Sequence, residues 1–97
     1  MEKEEILEKI KNSESEVKAS LNITRELKWE SEAYTYILKN NNKLNQFQRE
    51  HYEDNIGRNQ RMIDKFNKEI DNHKTLIVVF NLLLEEDKKQ NIINTKK

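Results

Sequence analysis

The sequence predicts an all-α fold: an antiparallel hairpin of two long helices, completing a four-helix bundle or coiled coil by dimerisation or partner binding. Three observations lead there. Apolar residues recur at seven-residue spacing, in two staggered series, through most of the 97 residues, which is the pattern of a helix seam. One Gly and no Pro leave too little turn chemistry for a many-stranded β fold. A single run, Asn40-Asn41-Asn42, breaks the periodicity near the middle. The length allows one small domain, residues 1–97.

Helix 1 is expected over about residues 3–39. One series runs Ile10, Val17, Thr24, Ser31, Leu38, and the other Ile6, Ser13, Ser20, Leu27, Tyr34. Together they form the inner stripe of a coiled-coil-like helix, diluted by small polar residues. Glu14 and Lys18 fall at a spacing that supports an exposed helical face. The turn is expected within residues 39–44, because Asn tolerates the left-handed conformation and its side chain competes with helical hydrogen bonding. Helix 2 follows over about residues 44–88. Its series read Tyr52, Asn59, Phe66, His73, Phe80 and Ile56, Ile63, Ile70, Ile77, Leu84. Gly57 is a weaker candidate break, since Gly in a helix costs ~1 kcal/mol relative to Ala. From 89 to 97 the pattern fades and a frayed tail is expected.

A short connection makes the helices antiparallel. Folding about Asn41 and Asn42 sets residues whose numbers sum to about 83 opposite each other. That register pairs Ile6 with Ile77, Ile10 with His73, Val17 with Phe66, Leu21 with Met62 and Leu27 with Ile56. It also sets Thr24 against Asn59 and Ser31 against Tyr52, which predicts a polar, looser middle beside Gly57.

Two helices bury one stripe each, and this chain has apolar residues left over. Near the turn, Trp29, Ala33, Tyr36 and Ile37 lie off the first stripe, with Phe47 as a neighbour across the loop. Towards the C-terminus, Leu76, Val78, Val79, Leu82 and Leu83 surround helix 2 rather than line it, and Leu82 to Leu84 lie beyond the start of helix 1. A helix that is apolar all round is buried on more than one side, and exposed apolar patches mark interfaces. The expected partner-binding residues are therefore Trp29, Tyr36, Phe47, Leu76, Val79 and Leu83, and the partner is another protein, a second copy in a homodimer, or both.

The composition narrows the function classes. Hydrophobic residues make up 34% and charged residues 37%, against usual shares of ~45–50% and ~25%. No Cys excludes a disulfide scaffold and a thiolate site. The 18 basic and 18 acidic residues cancel, and Arg49, Arg58 and Arg61 are interleaved with Glu50, Glu53 and Asp54, so no net basic face is expected for nucleic acid. Leu76 to Leu84 is far shorter than the ~20 apolar residues of a membrane span. The acidic opening, Met1 to Glu5, lacks the pattern of a secretory signal, which predicts a cytoplasmic protein. His73 has Glu69 one turn before it, a pairing that would orient the ring. A di-iron bundle would need Glu-x-x-His on two helices; position 70 is Ile and position 48 is Gln. Adjacent carboxylates such as Glu85 and Glu86 face different ways and are not an acid/base pair. No catalytic residue, metal site or cofactor is expected, and the protein is read as a non-enzyme.

The segment Trp29-Glu30-Ser31-Glu32-Ala33, followed by Tyr34, resembles the W-x-G signature of the small WXG100-type proteins of type VII secretion, with Ser31 where that family has Gly. The resemblance implies an antiparallel helical hairpin that works as a homodimer or heterodimer. It also implies export without a signal peptide, or service as a small helical partner of an LXG toxin. The family's export signal, an aromatic followed four residues later by an acid, is absent: Leu84 follows Phe80 and Ile56 follows Tyr52 at that spacing.

These readings favour a protein–protein interaction module, as a targeting or chaperone partner of a secreted toxin. The alternative is a small phage- or plasmid-encoded inhibitor or immunity-type protein that blocks a larger enzyme. A third class, a ligand-binding or catalytic bundle, would have to use the polar layer of Thr24, Ser31, Tyr52 and Asn59.

Overall fold

The computed structural model describes the backbone of residues 1–95 and the side chains of residues 1–90. Two helices make up the fold: α1, Lys3–Asn40, and α2, Gln46–Thr95. They form an all-α hairpin, and no strand occurs among the described residues. Every position of the four predicted seven-residue series is buried or half-buried. The heptad pattern therefore identifies the inner face of both helices along their described length. The aliphatic core is Ile6, Ile10, Ile63 and Ile70, each contributing ~1.5–3 kcal/mol on full burial. The chain divides into two compact units, Met1–Ala19 with Glu69–Lys97, and Ser20–Lys68.

The second unit contains the turn. α1 closes with the Asn41 amide donating to the Ile37 carbonyl at 2.9 Å, while Asn40 Nδ2 donates to the Tyr36 carbonyl at 2.9 Å. The Lys43 amide then donates to Asn41 Oδ1 at 3.0 Å, an Asx turn. α2 opens on a reciprocal cap: the Gln48 amide donates to Asn45 Oδ1 at 2.8 Å and the Asn45 amide donates to Gln48 Oε1 at 3.0 Å. This is the geometry of a capping box, which satisfies orphan amides at a helix start. Arg49 Nη2 donates across the turn to the Leu38 carbonyl at 3.3 Å, one of the last four carbonyls that α1 cannot satisfy itself. The asparagines thus make the turn through their side chains. None uses the left-handed conformation expected of them, since no described residue has a positive φ.

The register within this unit differs from the expected one. Asn59 Nδ2 donates to Ser31 Oγ at 3.1 Å and to Glu30 Oε1 at 3.3 Å, and the Tyr34 and Tyr52 rings lie 5.4 Å apart. The contacts between the helices here join residues whose numbers sum to 86–90, rather than about 83. The repeat marks the seam of each helix but not how the two are staggered; the turn sets that, and with α1 ending at Asn40 and α2 starting at Gln46 it is centred later than Asn41 and Asn42. Leu21 and Met62, expected to meet, remain 49% and 39% exposed.

The polar middle is also not loose. Asn59 is 1% exposed, and Ser20 and Thr24 are 5% exposed. Thr24 Oγ1 is satisfied by donating to the Leu21 carbonyl at 2.9 Å. Gly57 does not interrupt α2. In the first unit, Ser13 joins Ile6, Ile10 and Ile70 among the buried residues, with Val17, His73, Ile77, Phe80 and Leu84 half-buried. α2 extends through Thr95, beyond the expected end at 88. Nothing between Leu84 and Thr95 is Gly or Pro, and a fading apolar stripe does not by itself stop a helix. The last two residues of the expected tail, 96 and 97, lie outside the described residues.

Candidate functional site

The seam consumes one stripe of each helix, and the apolar residues off the seam stay uncovered. Leu76, Val79 and Leu83 are 42%, 44% and 41% exposed. Leu76 and Leu83 share one heptad position, with Val79 between them at helical spacing, so the three form one strip along α2. Val78 and Leu82, four residues apart and 58% and 55% exposed, form a second strip on a different side. The sequence placed these residues correctly as surplus to the hairpin.

A second surface lies in the unit of the turn. Trp29 and Tyr36 are seven residues apart on α1, 60% and 68% exposed. The Arg25 guanidinium lies 5.6 Å from the centre of the Trp29 ring, within cation–π range. Phe47, in the first turn of α2, is 80% exposed. It lines a shallow groove with Gln48, His51 and Tyr52. Phe47 therefore shares its groove with residues of its own helix, where the sequence had grouped it with Trp29 and Tyr36. Ile37, grouped with them too, is half-buried. The chain matches no known protein family, no curated protein and no solved structure.

The polar cluster at the Asn59 layer contains Glu30, Ser31, Tyr34 and Tyr52. The Glu30 carboxylate, hydrogen-bonded to the Tyr34 phenol, raises its pKa above the usual 10.0; desolvation adds to this, and Arg58 opposes it. The cluster's hydrogen bonds run between its own members and join α1 to α2. Its one sequence signal, a polar residue at an inner stripe position, was visible; its tightness was not.

The titratable residues elsewhere do not assemble. Among the described residues no group of three or more His, Asp or Glu side chains is placed to hold a metal ion. His73 Nδ1 is buried without a hydrogen-bond partner, so the expected ring-orienting contact from Glu69 to that nitrogen is not made. Glu14 and Lys18 do not close an ion pair; among the described residues the pair within 4.0 Å is Lys89 with Glu86, at 3.9 Å and well exposed. No described helix is long and apolar enough to cross a membrane.

Proposed function

We propose that this protein is a non-enzymatic interaction module whose helical hairpin presents apolar α2 side chains to another protein or to a second copy of itself. The observation that carries this reading is the exposure, at 41–58%, of Leu76, Val78, Val79, Leu82 and Leu83 within a short stretch of α2. A cluster of aliphatics left in water on more than one side of a helix favours association. The small aliphatic core of the hairpin favours it further, since short chains commonly gain stability from a partner. Light scattering on the purified chain tests the self-association arm, with Leu83→Asp as the probe. The expected result is a dimer that the substitution dissociates, or a wild-type chain that aggregates or melts early without its partner. A thermally robust monomer unaffected by Leu83→Asp would overturn the reading.

The exposed Trp29 within a W-x-G-like segment supports a more specific version, in which the partner is a secreted toxin with a long helical N-terminus. An inhibitor that docks one helical face on a larger enzyme uses the same surface. The genes beside this one distinguish the two: a toxin gene favours the first, a defence-system or enzyme target the second.

A further inference from the structure

Resting on the reading of the α2 surface as an association site, we propose that its partner is a second copy of this chain, docked antiparallel about a two-fold axis at the level of Phe80. The five exposed aliphatics, Leu76, Val78, Val79, Leu82 and Leu83, cover a continuous arc of ~160° around the helix at ~100° per residue. The half-buried seam residues Ile77, Phe80 and Leu84 point roughly away from the centre of that arc. α1 therefore leaves the arc open, and two such arcs meet face to face with each α1 on the outside. The charges at the rim decide the direction. On the Val78 side of the arc stand Asp71, Lys74, Glu85 and Lys89, all exposed. Asp71 and Lys89 are eighteen residues apart, about five helical turns, so they lie on one side of α2 with Phe80 midway between them. In a parallel, in-register pair each of these charges would meet its own copy. In an antiparallel pair centred at Phe80, opposing numbers sum to about 160. Asp71 of one copy then meets Lys89 of the other, Lys74 meets Glu86 with Glu85 beside it, and Val78 meets Leu82. The two-fold axis makes each pairing occur twice. From 71 to 89 no level of this arrangement sets like charges opposite each other. Like-charge juxtaposition is costly, and complementary charges fix the orientation of a helical pair. The contact of Lys89 with Glu86 on its own helix, at 3.9 Å and well exposed, is weak enough to yield.

The chain has no Cys, so a nitroxide on Gln90→Cys reports the direction. Position 90 lies ten residues from the axis on each copy, so dipolar electron resonance should give a separation of ~30 Å at ~1.5 Å of rise per residue. A parallel pair would give less than ~20 Å, close to the spacing of packed helices. Charge reversal tests the pairing itself. Asp71→Lys alone and Lys89→Asp alone should each raise the dimer Kd about tenfold, since each sets two like-charge pairs at the rim. Mixed in equal amounts, the two variants should associate as tightly as the wild type, because a mixed dimer regains both opposite pairs. Both side chains are exposed, so helical circular dichroism should not change. A short distance at position 90, or a mixture that restores nothing, overturns the antiparallel dimer while the association reading stands. A monomer at every concentration also overturns it, and the thermal melt then decides the association reading: a robust monomer removes both, and an early melt leaves a different protein as the partner.

Discussion

Gly57 is the residue where sequence and structure give opposite impressions. Read alone, it marks a possible bend; in the fold it lies in uninterrupted helix without a positive φ. A Cβ built there would meet Arg61 Nη1 at 3.6 Å, an ordinary contact with the end of a flexible side chain. Gly57→Ala should therefore stabilise the protein by ~0.5–1 kcal/mol, through the reduced freedom of the unfolded chain and better helix propensity. For a domain of this size that is a rise in Tm of about 2–8 °C; a fall would mean the position needs its glycine. Tyr34 makes a second residue-scale prediction. Its folded pKa is raised, chiefly by Glu30, so the neutral phenol is the form the fold favours. The associated stability is fully present below pH 10, the unfolded value, and is lost as pH rises through the higher folded value. Urea midpoints at pH 9 and pH 11 should fall less in Tyr34→Phe than in the wild type. An equal fall in both would remove Tyr34 from the account of alkaline unfolding.

At the scale of the element, the turn is a set of asparagine hydrogen bonds rather than a special backbone. Asn45 and Gln48 cap α2 reciprocally, and the pattern Asn-x-x-Gln was readable in the sequence as a helix start. Asn45→Ala should cost ~1 kcal/mol while Asn45→Asp keeps the cap and most of the stability. Chemical denaturation of the pair measures this, and equal loss in both variants would show that the side-chain oxygen at 45 is not what matters. The distal end of α2 is the complementary case. Apolar periodicity fades after Leu84, yet the helix continues through Thr95, because periodicity reports which face is covered and not whether a backbone without Gly or Pro stays helical.

At the scale of the whole molecule, the question is which uncovered side chains meet a partner. Leu83→Asp should dissociate or aggregate the protein if the α2 strip is an interface, as light scattering would show. Trp29 separates two uses of the aromatic surface. It is 60% exposed, so Trp29→Ala should leave helical content and Tm nearly unchanged. If Trp29 anchors a partner, that variant should weaken binding by ~2 kcal/mol, roughly thirtyfold. A large drop in Tm would instead place Trp29 inside a self-associated interface, and no change in either quantity would remove it from the site.

The sequence by itself determined the two helices, the place of the single turn and the identity of the inner face. These follow from local properties: a seven-residue apolar period, nearly no Gly, and no Pro. It also marked Leu76, Val79, Leu83, Trp29, Tyr36 and Phe47 as lying off that face, where the fold leaves them exposed. Only the tertiary structure decided the register, and with it the partner of Asn59, because a heptad repeat marks the seam of each helix and not how the two are staggered about the turn. It also turned the Ser20, Thr24 and Asn59 levels from an expected weak middle into some of the most buried positions in the chain. Small polar residues dilute a hydrophobic stripe when each helix is read alone. Between two helices, whether their hydrogen bonds are made depends on what stands opposite.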